Sequence, residues 1–431
     1  MFHSRNPIYR NPTGAVQAHT NIHFKLLVPR EFRCSAARLM VGEEFTKQVK
    51  TLGLFWCGMN GEDHEWWECD FTPEQSGLYF YRFEIDTWRG TLGITSRFGG
   101  ESGIDEYGSP EGECWQLTVF ESQYQTPDWL SGGIMYQIFP DRFYRSGTTK
   151  YNVPQDRYLH QRWGAQPEWS TIQAKGGRYQ IYSDYFGGDL EGIIQKLDYL
   201  QSLGITCIYL NPIFEAHSNH RYDTADYTKV DPLLGSKEDF KRLCKEANKR
   251  GIHIMLDGVF NHTGSDSIYF NRKGRYQTLG AYQSQDSPYY DWYQFYQWPE
   301  QYACWWNFET LPNVNETNET YNAYINGTDG VIQTWLKAGA DGWRLDVADE
   351  LPDLFLDHIT KAAKQVKPTS MILGEVWEDA SNKMAYGQRR RYLLGKQLDS
   401  VMNYPFREAI IGFLTGKNPA EMMELIMTVL E

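Results

Sequence analysis

Along the first quarter of the chain, apolar and polar side chains alternate with a period of two. Ile22-His-Phe-Lys-Leu-Leu-Val28 and Gly77-Leu-Tyr-Phe-Tyr-Arg-Phe-Glu-Ile85 show it most clearly, and Glu113-Cys-Trp-Gln-Leu-Thr-Val-Phe120 closes the segment. Clusters of Gly, Pro, Asn and Asp separate these runs, which predicts a sandwich of short half-buried strands over residues 1–126. Near Thr126-Pro-Asp-Trp-Leu-Ser-Gly-Gly133 the pattern changes. From there, short runs apolar on both faces alternate with amphipathic helical stretches. The strand runs are Ile134–Phe139, Ile205–Leu210, Ile252–Leu256, Asp341–Asp346, Met371–Glu375 and Leu398–Met402. A helix is predicted from Asp189, and another N-capped by Ser236 and closed by Gly251. Continuous apolar strands between helices mean a parallel sheet covered on its faces. Six such units over residues 127–431 predict an α/β fold, a (β/α)8 barrel of which about six units are present. The polar, aromatic stretch 263–328 after strand three is too long for a loop and is expected to be an inserted subdomain.

Composition narrows the function more than the fold. Asp and Glu outnumber Lys and Arg 55 to 42, a net charge of −13, which is the wrong sign for nucleic acid or an anionic membrane surface. No apolar run is long enough to span a bilayer, and the start, MFHSRNPIYRNPTG, has no apolar signal core. A cytoplasmic protein with a neutral partner is expected. The 7 cysteines contain no C-x-x-C pair, so reduced structural thiols are the expectation rather than a disulfide framework or a zinc site. Sequons at Asn315, Asn318 and Asn326 carry no weight without a secretory route. Aromatic content is 15%, with 15 Trp and 29 Tyr, and such rings serve either core packing or stacking on sugars.

In a barrel of this kind, chemistry gathers at the C-terminal ends of the strands. Three of those ends carry carboxylates: Asp257, Asp346 and Glu375. Arg344 lies two residues before Asp346 on one strand, so both side chains face the same way, and the guanidinium is expected to favour the ionised aspartate. Glycosidic cleavage requires two carboxyl groups in opposite protonation states, and Asp346 with Glu375 is the candidate pair.

Asp257-Gly-Val-Phe-Asn-His262, Gly342-Trp-Arg-Leu-Asp346 and Gly374-Glu-Val-Trp377 resemble, in order and placement, signature regions of the α-amylase family of glycoside hydrolases. Gly204–Pro212, Ser218–Tyr227, Leu311–Asn315 and Met402–Pro405 extend the resemblance to nearly the whole chain. The N-terminal region is similar to the starch-binding-type module of neopullulanases, cyclomaltodextrinases and maltogenic amylases. The resemblance implies retaining hydrolysis of α-1,4 or α-1,6 glucosidic bonds in maltooligosaccharides, cyclodextrins, pullulan or starch fragments. It makes Asp346 the nucleophile, Glu375 the acid and base, and Arg344 the group orienting Asp346. His262 would hydrogen-bond the sugar at the cleavage site, Tyr222 would stack beneath it and Trp377 would flank the leaving-group side. Asp257 is expected to be a structural neighbour of the site. Asp349-Glu350 stands where relatives often carry Asn-Glu, so Glu350 bears on linkage preference.

Two further departures shape the expectation. The family's third carboxylate follows strand seven, beyond residue 431, so the chain is expected to be a fragment of a longer enzyme, with two open sheet edges and impaired activity. No cofactor is required. Calcium is the one metal candidate, because relatives often carry a calcium loop after strand one, but Tyr144-Arg-Ser-Gly-Thr-Thr-Lys150 offers a hard cation poor ligands, although Gly187 and Asp189 are retained. A homodimer is a further expectation by resemblance. The competing reading is a carbohydrate-binding or scaffold protein with an inactive barrel, against which the intact Asp346, Glu375, Arg344 and His262 argue.

Overall fold

The computed structural model describes the chain except residues 106–112, 149–155, 168–181 and 429–431. Thr149 and Lys150, part of the loop read above, lie outside the described residues. The chain divides into two compact units. One comprises Met1–Gln125 with Val376–Gln397 and Met402–Glu431, the other Thr126–Glu375 with Leu398–Val401.

The first unit is built on ten strands, antiparallel except where Val16–Gln17 runs parallel to Trp115–Phe120. Ile22–Pro29 alternates buried and half-buried positions along its whole length, as a period-two pattern demands. Its inward residues Ile22, Phe24, Leu26 and Val28 share one core with Leu39, Tyr81, Phe83, Ile85, Trp115 and Leu117. Phe24 and Tyr81, from strands that are not neighbours in the sheet, meet edge to face at 5.1 Å. Each such side chain contributes about 1.5–3 kcal/mol when fully buried. Two helices, Tyr404–Leu414 and Pro419–Thr428, belong to the same unit.

Among its described residues the second unit contains a sheet of six parallel strands in sequential order: Met135–Ile138, Cys207–Leu210, His253–Gly258, Gly342–Leu345, Met371–Gly374 and Ser400–Val401. This is a half-barrel, and the helices following its strands are the covering layer that keeps a parallel sheet dry. Strands two, four and five are buried at every residue, whereas Tyr136 and Gln137 of strand one, at an end of the sheet, are exposed. Strand six is shorter than its apolar run predicted, with only Ser400 and Val401 paired to strand five. The helix predicted from Asp189 forms as two short pieces, Leu190–Gln195 and Leu197–Ser202, because Lys196 leaves helical geometry at φ −104° and ψ 2°. Ser236 caps Lys237–Asn248 through a reciprocal capping box with Asp239. Gly251, at φ +69°, turns the chain into strand three.

After strand three the chain forms a hairpin (Phe295–Gln297 with Gln301–Tyr302) and a helix, Glu319–Asn326. Aromatic rings fill the interior here. Tyr269 packs against Trp292 and Tyr324, and its hydroxyl meets that of Tyr324 at 2.7 Å. Tyr321 donates a 2.8 Å hydrogen bond to the carbonyl of Phe260, which ties this region to the end of strand three. Much of the high aromatic content is therefore packing. No described helix is long and apolar enough to cross a membrane, and all seven cysteines are unpaired.

Gly342, which opens the Gly342-Trp-Arg-Leu-Asp346 motif, has a local reason to be glycine: a Cβ there would run into the carbonyl oxygen of Met371 on the adjacent strand. Gly342→Ala should therefore lower unfolding stability by about 1–3 kcal/mol, the usual cost of overpacking a dense interior. Urea denaturation of the two proteins checks this, and an unchanged midpoint would refute the steric account.

Candidate active site

Strands three, four and five are paired in register, with Asp257 opposite Arg344 and Leu345 opposite Gly374. That register brings the strand ends level and puts three carboxyls around one buried guanidinium. Arg344 donates to Asp257 through Nη1, at 2.9 Å to Oδ1 and 3.1 Å to Oδ2. The same nitrogen reaches Asp346 Oδ1 at 2.7 Å, and Nη2 reaches Glu375 Oε2 at 2.9 Å. The sequence placed Arg344 beside Asp346, and the structure adds that it touches all three acids.

Asp257 is fully buried and anchored from both sides. Tyr209 and Tyr222 each donate a hydroxyl to its Oδ2, Tyr222 at 3.0 Å. Asn211 donates to the Tyr222 hydroxyl at 3.0 Å, and Gln137 of strand one donates to Asn211 at 3.0 Å. Its acceptor sites are occupied by structural donors. Glu375 has a second donor: the backbone N–H of Val347 reaches its Oε2 at 2.9 Å. Val347 holds the left-handed conformation, φ 40° and ψ 55°, which costs a β-branched residue on the order of 1–3 kcal/mol. The strained turn aims an amide at the acid of the next strand.

One guanidinium is shared among three carboxyls, of which Asp257 and Asp346 are buried. Burial pushes Asp346 up to about 8, with the charges of Asp257 and Glu375 adding to the rise and Arg344 opposing it. Burial also raises Asp257 against the pull of Arg344. This corrects the expectation that Arg344 would lower Asp346 and hold it ionised: burial and the neighbouring acids outweigh the guanidinium, and Asp257 and Asp346 both rise.

His262 lies at the end of the loop after strand three, and burial pushes it down to about 4, so its ring is neutral at physiological pH. Nδ1 stands 3.2 Å from the side-chain amide of Asn261, whose oxygen in turn takes the Asn313 amide at 3.4 Å. That network favours the proton on Nε2, which is buried and has no hydrogen bond of good geometry among the described residues, although the Tyr222 backbone lies close enough to favour the charged ring. Trp305 stacks on the His262 ring at 5.6 Å.

Asp257, Arg344, Asp346, Glu375 and Tyr222 are thus joined in one continuous polar network. His262 stands beside it, next to the Tyr222 backbone. Glu350 lies on the single 3-10 turn Ala348–Glu350, half-buried, one turn beyond Asp346. Trp377, half exposed, belongs to the segment Val376–Gln397 of the first unit. Sequence reasoning missed Tyr209, whose signal was a lone hydroxyl in the apolar run of strand two. It also missed Val347, whose backbone strain leaves no mark in residue type.

The residues that would hold calcium do not fit it. Asp189 accepts from Gly192 N and from the Ser146 hydroxyl, each at 2.7 Å, and so serves as a helix cap. Arg145 places its own cation against the carbonyl oxygens of Phe186 (2.8 Å), His160 (2.6 Å) and Gln161 (3.2 Å). No group of three or more metal-ligating side chains occurs among the described residues.

The parallel β/α half-barrel thus gathers three acids around one arginine at the ends of adjacent strands. The chain belongs to the alpha-amylase family, whose catalytic domain it matches over residues 137–430. It is 37% identical over 446 residues to the amylopullulanase of Thermoanaerobacterium saccharolyticum, covering 96% of this chain and 34% of that protein. It is 35% identical to neopullulanase 2 of Thermoactinomyces vulgaris, covering 76% of this chain and 52% of that one. Among solved structures, a cyclomaltodextrinase superposes with a TM-score of 0.61 at 26% identity, over 99% of this chain and 67% of the other. The chain spans about a third of the length of the amylopullulanase.

The raised Asp346 has a consequence for stability. Its folded-state value of about 8 lies above the 3.8 of a free side chain, so the folded protein holds a proton that the unfolded one releases. Folding therefore loses stability as pH rises between those values. Asp346→Asn removes that loss, so the melting temperature of the variant relative to wild type should be higher at pH 8 than at pH 5. A difference between the two proteins that does not change with pH would contradict the assignment.

Proposed function

We propose that the protein hydrolyses α-glucosidic bonds of maltooligosaccharides, cyclodextrins, pullulan or starch fragments, with retention of anomeric configuration. The observation that carries this is the contact of Arg344 with Asp346 and Glu375 at once, at the ends of adjacent strands. In this reading an Asp346 carboxylate oxygen attacks the anomeric carbon. The bond from that carbon to the glycosidic oxygen breaks, and Glu375 gives the departing oxygen its proton. Water then attacks the glucosyl ester, Glu375 takes a proton from it, and Asp346 is released. The proton that the sugar-free site keeps must stand on Glu375 when the bond breaks. Arg344 contacts both carboxyls, so the shift leaves the guanidinium paired, and positive charge developing on the sugar favours ionised Asp346. His262 donates Nε2–H to a sugar hydroxyl, Tyr222 offers its ring as a platform, and Asp257 holds Arg344 and Tyr222 in place. Trp377 would border the leaving-group side and Glu350 would influence linkage choice.

The relatives named as amylopullulanase and neopullulanase support this substrate class. Residues 1–126 are proposed as a β-sandwich module of the starch-binding type and 127–431 as catalytic barrel with the insertion 263–328. The reading includes no metal in catalysis, a cytoplasmic setting with reduced thiols, and pairing of two copies.

Asp346→Asn and Glu375→Gln should each lower kcat on maltooligosaccharides by at least about a thousand-fold, since each removes a group acting on the breaking bond. Asp257→Asn should act chiefly through stability. Steady-state kinetics on the three variants checks this, and wild-type turnover by Asp346→Asn or Glu375→Gln would rule the assignment out.

A further inference from the structure

Beside the cleavage site, the segment 294–316 encloses a second cavity of about 380 Å³ that the acid cluster does not use. Its walls include Tyr296, Asn307, Asn313, Asn315 and Glu316. Glu316 is only 8% exposed, and no salt bridge or side-chain partner holds its carboxyl among the described residues beyond its own backbone amide. A buried carboxyl costs stability unless something engages it. A second observation points the same way: Asn313 Oδ1 is buried without a hydrogen-bond partner among the described residues. The cavity is next to the candidate site by construction, because Asn313 forms a backbone bridge with His262 and Val314 N donates to Asn261 O at 3.1 Å.

We infer that this cavity is a subsite for one glucosyl unit of an α-glucan chain outside the bond being cleaved, with Glu316 and Asn313 gripping its hydroxyls and Tyr296 meeting its ring face. The inference rests on the proposed function for the identity of the chain, and on the cavity alone for its chemistry. No Lys, Arg or His lines the cavity, so an anionic ligand has no counter-charge there. Burial pushes Glu316 up to about 8, the charge of Glu350 adding to the rise, which leaves a neutral acid able to donate one hydrogen bond and accept others. Neutral acid, amides and phenol together match a polyhydroxylated, uncharged ligand. Tyr296, 69% exposed at the mouth, presents the aromatic surface that a pyranose C–H face needs. The size suits such a ligand, because small-molecule sites begin at roughly 300 Å³. Glu316 lies near Glu350, four residues after Asp346, so the subsite would help choose which glucans are cut.

The test is calorimetric binding of maltopentaose to the full chain carrying Asp346→Asn, which reports binding without turnover. Adding Glu316→Ala should weaken binding about ten-fold, the effect of one buried hydrogen bond whose partner is left unpaired. Adding Glu316→Gln should change it less than about three-fold, because the amide keeps the shape and hydrogen bonding of a neutral acid. Adding Tyr296→Ala, at an exposed position that does not threaten folding, should also weaken binding several-fold. Full affinity in both Glu316→Ala and Tyr296→Ala would overturn the subsite and leave the proposed function standing. Absence of maltopentaose binding before these additions would overturn both. Calcium that binds the parent, is lost in Glu316→Ala and competes with the sugar would show that the cavity is a cation site instead.

Discussion

The buried guanidinium of Arg344 is the constraint around which the barrel rim is organised. Three acids from three adjacent strands converge on it, at 2.7–3.1 Å. None of the four groups could be buried there alone, since an unpaired charge in a dry interior is tolerated only at large cost. Breaking such a cluster by removing one partner typically costs about 3–5 kcal/mol. The cluster therefore ties strands three to five together, and the same contacts align Asp346 and Glu375, the pair proposed for glycosidic cleavage. Structure and function share one interaction here. The imbalance of one cation against three acids, together with burial, raises Asp257 and Asp346 despite the guanidinium they share.

The second organising feature is the region after strand three. Its rings fill an interior that a chain segment without long strands or helices could not otherwise dry out. Tyr hydroxyls suit this task because each brings its own hydrogen-bonding group, as Tyr321 does with Phe260 and Tyr269 with Tyr324. The region thereby fixes Asn261 and His262 from the outside, through Val314 and Asn313. It holds the imidazole at the site and lines the cavity around Glu316.

Much of this was legible in the chain because the signals were local and periodic. Strands buried on both faces read as apolar runs, and those of the barrel appeared within a residue or two of where the runs predicted. Ser236 and Gly251 announced a helix start and stop through chemistry that any helix end shares. The acids showed because strand ends expose them to the same rim. What escaped depended on three-dimensional surroundings. Arg344 facing Asp346 followed from a period of two, but its reach to Glu375 depends on the pairing of strands four and five. The direction of the Asp346 shift depended on how much water and how many other acids surround it. The twist at Val347 has no residue signature, since valine is a poor choice for left-handed backbone. Strand six shrank because only two residues of its apolar run, Ser400 and Val401, find a partner on strand five.

In the proposed reaction a carboxylate oxygen of Asp346 bonds to the anomeric carbon to give a covalent glucosyl intermediate, while Glu375, held by the same guanidinium, moves the proton. A fluorinated glucosyl fluoride, whose fluorine slows hydrolysis of the intermediate more than its formation, can trap that species for peptide mapping by mass spectrometry. The account predicts one glucosyl adduct per chain on the peptide that carries Asp346, lost when Asp346 is changed to Asn. An adduct on Glu375 or Asp257, or turnover that inverts the anomeric centre without any adduct, would contradict it.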